Sequence, residues 1–152
     1  MYMHAEVEAL LRILAALVLA GILGGERQMI GKSAGLRTHM LVGVGAALAV
    51  NVCNGLIERF ADSEDILRVD PLRVIEAVLT GIGFLGAGTI IFRRGEDRIS
   101  GLTTAASIWA TAAVGLAAGN GDYILATGAT VIVFTVLRVL GYIERRWSRV
   151  PS

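Results

Sequence analysis

Five apolar stretches, each long enough to cross a lipid bilayer, are the feature that most constrains the fold of this chain. They are Val7 to Gly25, Leu36 to Ile57, Leu72 to Phe92, Gly101 to Gly119 and Tyr123 to Ile143. As an α-helix, the third stretch rises about 31 Å, which matches a hydrocarbon core of about 30 Å. The stretches predict an all-α integral membrane protein with five spans. Losing the first stretch, or merging it with the next, would leave four spans as the alternative.

The composition supports a single membrane domain covering residues 1–152. Of the 152 residues, 55% are hydrophobic and 18% are charged, whereas soluble domains average about 25% charged. Glu6 and Glu8 precede the first stretch where a secretory signal would carry positive charge, so we interpret it as a retained span. Short polar connections predict neighbouring antiparallel helices in one compact bundle, with the lipid bilayer around it. Basic residues form no continuous stripe, so nucleic acid is not an expected partner.

Glycines are unusually frequent in the third stretch. They are Gly81, Gly83, Gly86 and Gly88. Glycine costs roughly 1 kcal/mol in a water-exposed helix, but in a bilayer it lets two helix backbones approach closely. The G-x-G-x-x-G spacing lies inside a span and not between a strand and a helix, so it does not predict a dinucleotide site.

Small residues also recur at four-residue spacing on other spans. Gly21 and Gly25 lie on the first span, and Gly115 and Gly119 lie on the fourth. These positions and the glycines of the third stretch predict close helix packing in a glycine-rich bundle. More small faces are present than one simple bundle requires, so we also expect a homodimer or another homo-oligomer.

Polar residues inside spans are expensive and usually face the interior or pair with one another. Arg12, Asn51, Asn54 and Glu76 lie at similar depths near the same ends of their spans. They predict a polar layer in which Arg12 pairs with Glu76. The alternative is that Arg12 extends to the headgroups and Glu76 meets Arg73 on its own helix.

At the opposite end of the bundle, Thr104, Ser107 and Thr111 form a hydroxyl stripe on the fourth span. The two histidines, His4 and His39, are expected near the membrane interfaces. Neither has a second ligand at metal spacing, and neither is placed for nucleophilic catalysis. We therefore predict no catalytic residues, no metal ligands, no cofactor and no enzymatic activity.

Positive charge predicts the orientation of the chain. The connections after spans one and three and the C-terminal tail carry nine basic residues, whereas the other two connections carry two. By the positive-inside rule, the N-terminus lies outside and the C-terminus lies in the cytoplasm.

Three linked stretches resemble the MgtC/SapB family of bacterial inner-membrane proteins. They are GERQMIGKSAGLRTHMLVGVGAAL from Gly25, DPLRVIEAVLTGIGFLGAGTII from Asp70 and GLTTAASIWATAAVGLAAGNGDY from Gly101. The resemblance covers roughly residues 10–140, and the order and spacing of the stretches agree. On matching positions, the E-R-Q element is Glu26, Arg27 and Gln28, and the D-P-x-R element is Asp70, Pro71 and Arg73.

The resemblance implies a multi-pass protein of the bacterial inner membrane that acts in acclimation to low magnesium. In some pathogens, the family is also tied to survival inside host cells. Its members look more like regulators or accessory proteins of ion and energy balance than like proven carriers. Longer members append a soluble cytoplasmic domain, and we expect none here because the sequence stops at Ser152.

Two functions remain open from the sequence. The first is a non-enzymatic regulator that contacts another membrane protein. The second is a small oligomeric transporter or channel for magnesium or protons, with a path through Asn51, Glu76 and Thr104.

The predicted orientation can be checked with a reporter fused to the C-terminus. A reporter that is active only in the cytoplasm should work in this fusion, because the positive charge retains the tail on that side. Activity confined to a periplasmic reporter would contradict the predicted orientation.

Overall fold

A computed structural model of the chain describes residues 2–60, 70–92 and 99–143, which form five long helices and two short strands. The helices are α1 (Tyr2–Met29), α2 (Leu36–Phe60), α3 (Pro71–Thr89), α4 (Leu102–Asn120) and α5 (Tyr123–Thr135). A π-helical turn, Val136–Leu140, continues α5, and the helical span as a whole reaches Ile143. Within the described ranges, five helices are long and apolar enough to cross a membrane, which confirms five spans in place of four.

The start of α3 follows from its sequence. The side chain of Asp70 accepts a hydrogen bond of 3.0 Å from the backbone N–H of Leu72, which satisfies one of the donors left free at a helix start. Pro71 is the first residue of the helix, where its missing N–H costs nothing. The D-P dipeptide is therefore the cap of α3.

The end of α3 differs from the prediction. The helix was expected to reach Phe92, but it ends at Thr89, and Ile90 is extended. The next residues form β1 (Ile91–Phe92), which pairs antiparallel with β2 (Ile99–Ser100). Two isoleucines and a phenylalanine in a row favour extended backbone over helix. The arginines predicted to mark the cytoplasmic face at 93–98 and in the tail after residue 143 lie outside the described residues, so the orientation stays a prediction.

The helix α4 is the centre of the bundle, because it contacts each of the other four helices. It is bounded by two glycines in the left-handed region, Gly101 with φ of 93° and Gly121 with φ of 91°. Residues other than glycine adopt this backbone conformation only with strain. The second of these turns sends the chain directly from α4 into α5.

Backbones approach closely where α1, α2 and α4 meet. A Cβ atom added to Gly43 of α2 would lie 2.6 Å from the Cβ of Ala20, and one added to Gly115 would lie 2.5 Å from the carbonyl oxygen of Gly43. A Cβ on Gly119 would lie 2.6 Å from the Cα of Ala47. No side chain fits at such distances, so glycine is what allows these three helices to pack.

The residues around these contacts are mostly small. One cluster of buried side chains joins α1, α2, α4 and α5 through Ala16, Ala47, Val114, Ala118 and Ala126. A second cluster lies between α2 and α4, and Val78, Leu79 and Ile82 of α3 pack against it. Alanine and valine dominate both, which keeps the helix axes close.

The predicted glycine positions fall into two groups. Gly115 and Gly119 lie at the close approach to α2, and Gly86 of α3 lies in ordinary contact with Ala105. In contrast, a Cβ on Gly81, Gly83 or Gly88 would meet no atom within 4 Å. On α1, the tight position is Gly24, where a Cβ would lie 2.7 Å from the Cβ of His39, and not Gly21 or Gly25.

These contacts generate a stability prediction. Gly119→Ala should destabilise the protein by about 1–3 kcal/mol, because the new methyl group overpacks the α2–α4 contact. Gly45→Ala is the matched control, since Gly45 is an exposed helix glycine with open space at its Cβ position. Thermal unfolding of the purified protein in detergent should show a lower midpoint for Gly119→Ala only, and equal midpoints for the two variants would contradict the packing.

Candidate functional site

Two oppositely charged side chains are buried at the end of α1. Glu26 and Arg27 are each 2% exposed, and Arg27 Nε donates a hydrogen bond of 2.7 Å to Glu26 Oε2. Burial removes the water that would otherwise solvate both charges, so each charge is compensated mainly by the other.

This pair has bonding capacity that the described residues leave unused. Glu26 Oε1 and Arg27 Nη1 are buried and have no hydrogen-bond partner among the described residues, and the same is true of Arg12 Nε. A carboxylate oxygen accepts and a guanidinium nitrogen donates. Within the described part of the chain, the buried pair therefore has one free acceptor, Glu26 Oε1, and one free donor, Arg27 Nη1.

Gln28 completes the E-R-Q element with a different role. Its Oε1 accepts a hydrogen bond of 3.1 Å from the backbone N–H of Leu36, the first residue of α2. This bond supplies a partner for a free donor at the start of α2 and ties the two helices together across their connection. Two residues of the element form the buried pair, and the third caps the next helix.

His39 lies in the first turn of α2 and is fully buried among the helices, while its predicted position near the membrane interface stays a prediction. It faces Gly24 of α1, where the missing side chain makes room for it, and the charges of Glu26 and Arg27 act on its ring. Nδ1 lies 2.9 Å from the carbonyl oxygen of Gly35, and Nε2 lies 3.2 Å from Ser107 Oγ of α4. Because a carbonyl oxygen only accepts, Nδ1 donates to Gly35. The imidazole thus connects α2 to α4.

The hydroxyl stripe of α4 is buried and bonds mainly to its own helix. Ser107 Oγ lies 2.8 Å from the Thr104 carbonyl oxygen, and Thr111 Oγ1 donates to the Ser107 carbonyl oxygen at 2.8 Å. Ser107 has one hydroxyl hydrogen and two acceptors within reach, the Thr104 carbonyl oxygen and the imidazole of His39. Of the three hydroxyls in the stripe, Ser107 is the one that reaches another helix. Glu26, Arg27, His39, Thr104 and Ser107 together are called the polar cluster below.

The predicted polar layer at the opposite end is only partly assembled. Arg12 pairs with Glu8 on its own helix and not with Glu76, and it lies beside the turn at Gly121. Asn51 Nδ2 donates to the carbonyl oxygens of Ala47, at 2.8 Å, and Gly119, at 3.2 Å. It thereby ties α2 to α4.

Asn54 and Glu76 lie on different surfaces. Asn54 lines a cavity of about 310 Å³ between α2, α3 and α4, together with Asn120 and Asp122. Glu76 is exposed on α3, as is Arg73. Within the described ranges, no three side chains of the His, Cys, Asp or Glu type come together in a way that could hold a metal ion.

Sequence reasoning missed the depth of the polar cluster. Glu26 and Arg27 come at the end of an apolar stretch and match the E-R-Q element of the family, and neither feature predicts that they are buried. Their burial depends on contacts with α2 and α4, which local sequence does not encode. One signal was available: His39 lies four residues after Gly35 and seven before Ala46, on the face of α2 that also carries Val42 and Gly43.

A bundle of five apolar helices with a glycine-packed centre and a buried ion pair defines a compact multi-pass membrane protein. The chain belongs to the MgtC family, which residues 13–146 match.

Three relatives support the same assignment. The chain is 46% identical over 134 residues to the putative magnesium transporter YhiD of Escherichia coli. This match covers 87% of the chain and 60% of YhiD. It is 39% identical over 134 residues to an uncharacterized protein of Haemophilus influenzae, covering 88% and 56%. It is 36% identical over 142 residues to protein MgtC of Salmonella typhimurium, covering 93% and 56%. The chain thus spans less than two thirds of the length of these relatives, and no solved structure matches it.

The buried ion pair generates a second stability prediction. Glu26→Gln should destabilise the protein by about 3–5 kcal/mol, because it leaves the buried charge of Arg27 without a counter-charge. The double variant Glu26→Met with Arg27→Met should lose less than Glu26→Gln, since it removes both charges together.

Thermal unfolding in detergent measures both effects. Arg37→Met is the matched control, because Arg37 is an exposed arginine at the same end of the bundle, and it should change the midpoint little. The single variants Glu26→Met and Arg27→Met complete the comparison. If the double variant loses at least as much stability as these two together, the two charges do not depend on each other.

Proposed function

We propose that this chain is a non-enzymatic protein of the bacterial inner membrane that regulates or assists magnesium homeostasis. It acts by contacting other membrane proteins and does not itself carry magnesium across the bilayer. Membership of the MgtC family and the names of the relatives support the link to magnesium.

The packed centre of the bundle is the observation that carries this proposal. An ion path needs polar groups that face a water-filled passage. Here Glu26 is bonded to Arg27, Ser107 lies within hydrogen-bond distance of Thr104 and His39, and Asn51 is bonded to two carbonyl oxygens. The close approaches at Gly43, Gly115 and Gly119 bring α1, α2 and α4 into backbone contact. Polar groups that are fixed inside a tight helix contact favour a regulator that contacts other proteins over a transporter.

A second candidate function is a small oligomeric transporter of magnesium or protons. The unused atoms Glu26 Oε1 and Arg27 Nη1 favour it, because ionisable groups within a span commonly mark an ion pathway. The cavity at Asn54, Asn120 and Asp122 would then be the entrance from the opposite end. In this case the passage would lie between copies of the chain.

Purified protein in liposomes distinguishes the two functions. Vesicles loaded with a magnesium-sensitive or a pH-sensitive dye should show no flux above that of protein-free vesicles. The same chain should support growth in low magnesium when expressed in a strain that lacks its own family member. This combination is expected of a regulator.

The contrary outcome is equally specific. Flux that is lost in Glu76→Gln, but retained in the control Arg37→Gln, would replace the regulator with the transporter. Arg37 suits as the control because it is charged and exposed and lies outside the polar cluster.

A further inference from the structure

The helix α3 has two unlike sides. Its inner side carries Val78, Leu79, Ile82 and Gly86, which pack toward α2 and α4. Its outer side is exposed and is called the outer α3 face below: Arg73, Glu76, Ala77, Thr80, Gly81, Gly83, Phe84, Ala87 and Gly88. Of the five spanning helices, α3 has the smallest share of its length buried in the bundle.

The outer α3 face combines one large side chain with a ring of small ones. Phe84 is 82% exposed, and its neighbours three and four residues away on the helix surface are Thr80, Gly81, Ala87 and Gly88. A Cβ on Gly81 or Gly88 would meet no atom within 4 Å. The face therefore has a ridge at Phe84 beside a shallow notch, and the ridge of one such face fits the notch of another.

The same face carries charge that the described chain leaves unpaired. Arg73 and Glu76 are exposed, and neither forms an ion pair with any residue in the ranges 2–60, 70–92 and 99–143. Thr80 adds a hydroxyl group one turn further along. A lipid tail offers no partner for these groups and gains little contact area from glycine. A helix of complementary charge and shape offers both.

We infer that the outer α3 face binds the same face of a second copy of this chain, with the twofold axis along the membrane normal. In such an isologous pair the two α3 helices run in the same direction. Phe84 of each copy then packs into the notch at Gly81 and Gly88 of the other. Arg73 of one copy lies about 4.5 Å in height from Glu76 of the other, at 1.5 Å per residue, so two symmetric ion pairs form.

This inference does not depend on the proposed function. A regulator and a transporter could both be built from such a pair, and flux measurements leave it untouched. It rests on the shape and charge of α3 alone, and it selects a second copy because the face complements itself in both.

Disulfide cross-linking in vesicles of purified protein tests the contact. On a Cys53→Ser background, Thr80→Cys places a thiol near the axis of the proposed pair with almost no change in size. Ile124→Cys is the matched control, because Ile124 of α5 is 92% exposed and also faces outward. With an oxidant at a low ratio of protein to lipid, Thr80→Cys should form covalent dimers and Ile124→Cys should stay monomeric. Equal cross-linking at the two positions, or none at Thr80→Cys, would overturn the inference.

Charge reversal separates pairing between copies from pairing within one helix. In the Thr80→Cys background, Arg73→Glu and Glu76→Arg each place like charges opposite each other in a homodimer, so dimer yield should fall roughly fivefold or more. Co-expressed with different tags, the two variants complement each other. Mixed dimers should then recover the yield of the parent.

An ion pair confined to one helix predicts no preference for mixed dimers. A yield of mixed dimers no greater than that of the two homodimers therefore counts against the proposed contact. Recovery of the mixed dimer also shows that both charge variants fold.

Discussion

The close approach of α1, α2 and α4 is the constraint on which the rest of the structure depends. Lipid tails are as apolar as leucine, so the hydrophobic effect does little to hold helices together inside a bilayer. Van der Waals contact between backbones must supply the attraction, and a gap of about 1 Å already loses up to about half of it. The glycines at positions 24, 43, 115 and 119 bring the backbones into such contact. The positions of His39, Ser107 and Asn51 follow from it.

The polar cluster exists because these helices are so close. His39 fits against α1 only where Gly24 has no side chain, and its ring then reaches Ser107 of α4. Glu26 and Arg27, two and three residues after Gly24 on α1, are also buried. The E-R-Q element thus has two structural parts. Glu26 and Arg27 form a buried ion pair, and Gln28 caps the start of α2. Changes at Gly24 and at Glu26 are therefore expected to be coupled.

Much of the fold could be predicted from the sequence, because apolar length and capping residues are local signals. The starts of α2 at Leu36 and α5 at Tyr123 agree with the prediction, and Asp70 with Pro71 marks the start of α3. The candidate site was less predictable. The burial of His39 and the choice of Glu8 over Glu76 as the partner of Arg12 depend on how helices far apart in sequence rotate against each other. The end of α3 at Thr89 depends on pairing with Ile99–Ser100.

The buried ion pair is the feature that stability alone does not explain. Replacing such a pair with apolar residues of similar volume is often neutral or stabilising, so a bundle already held by glycine contacts gains little from it. The pair also leaves Glu26 Oε1 and Arg27 Nη1 without partners, which adds a desolvation cost that a purely structural joint would avoid. Groups kept buried at such a cost are typical of sites that bind or respond to something. Binding of a ligand or ion is therefore to be sought at the polar cluster, and association between copies of the chain at the outer α3 face.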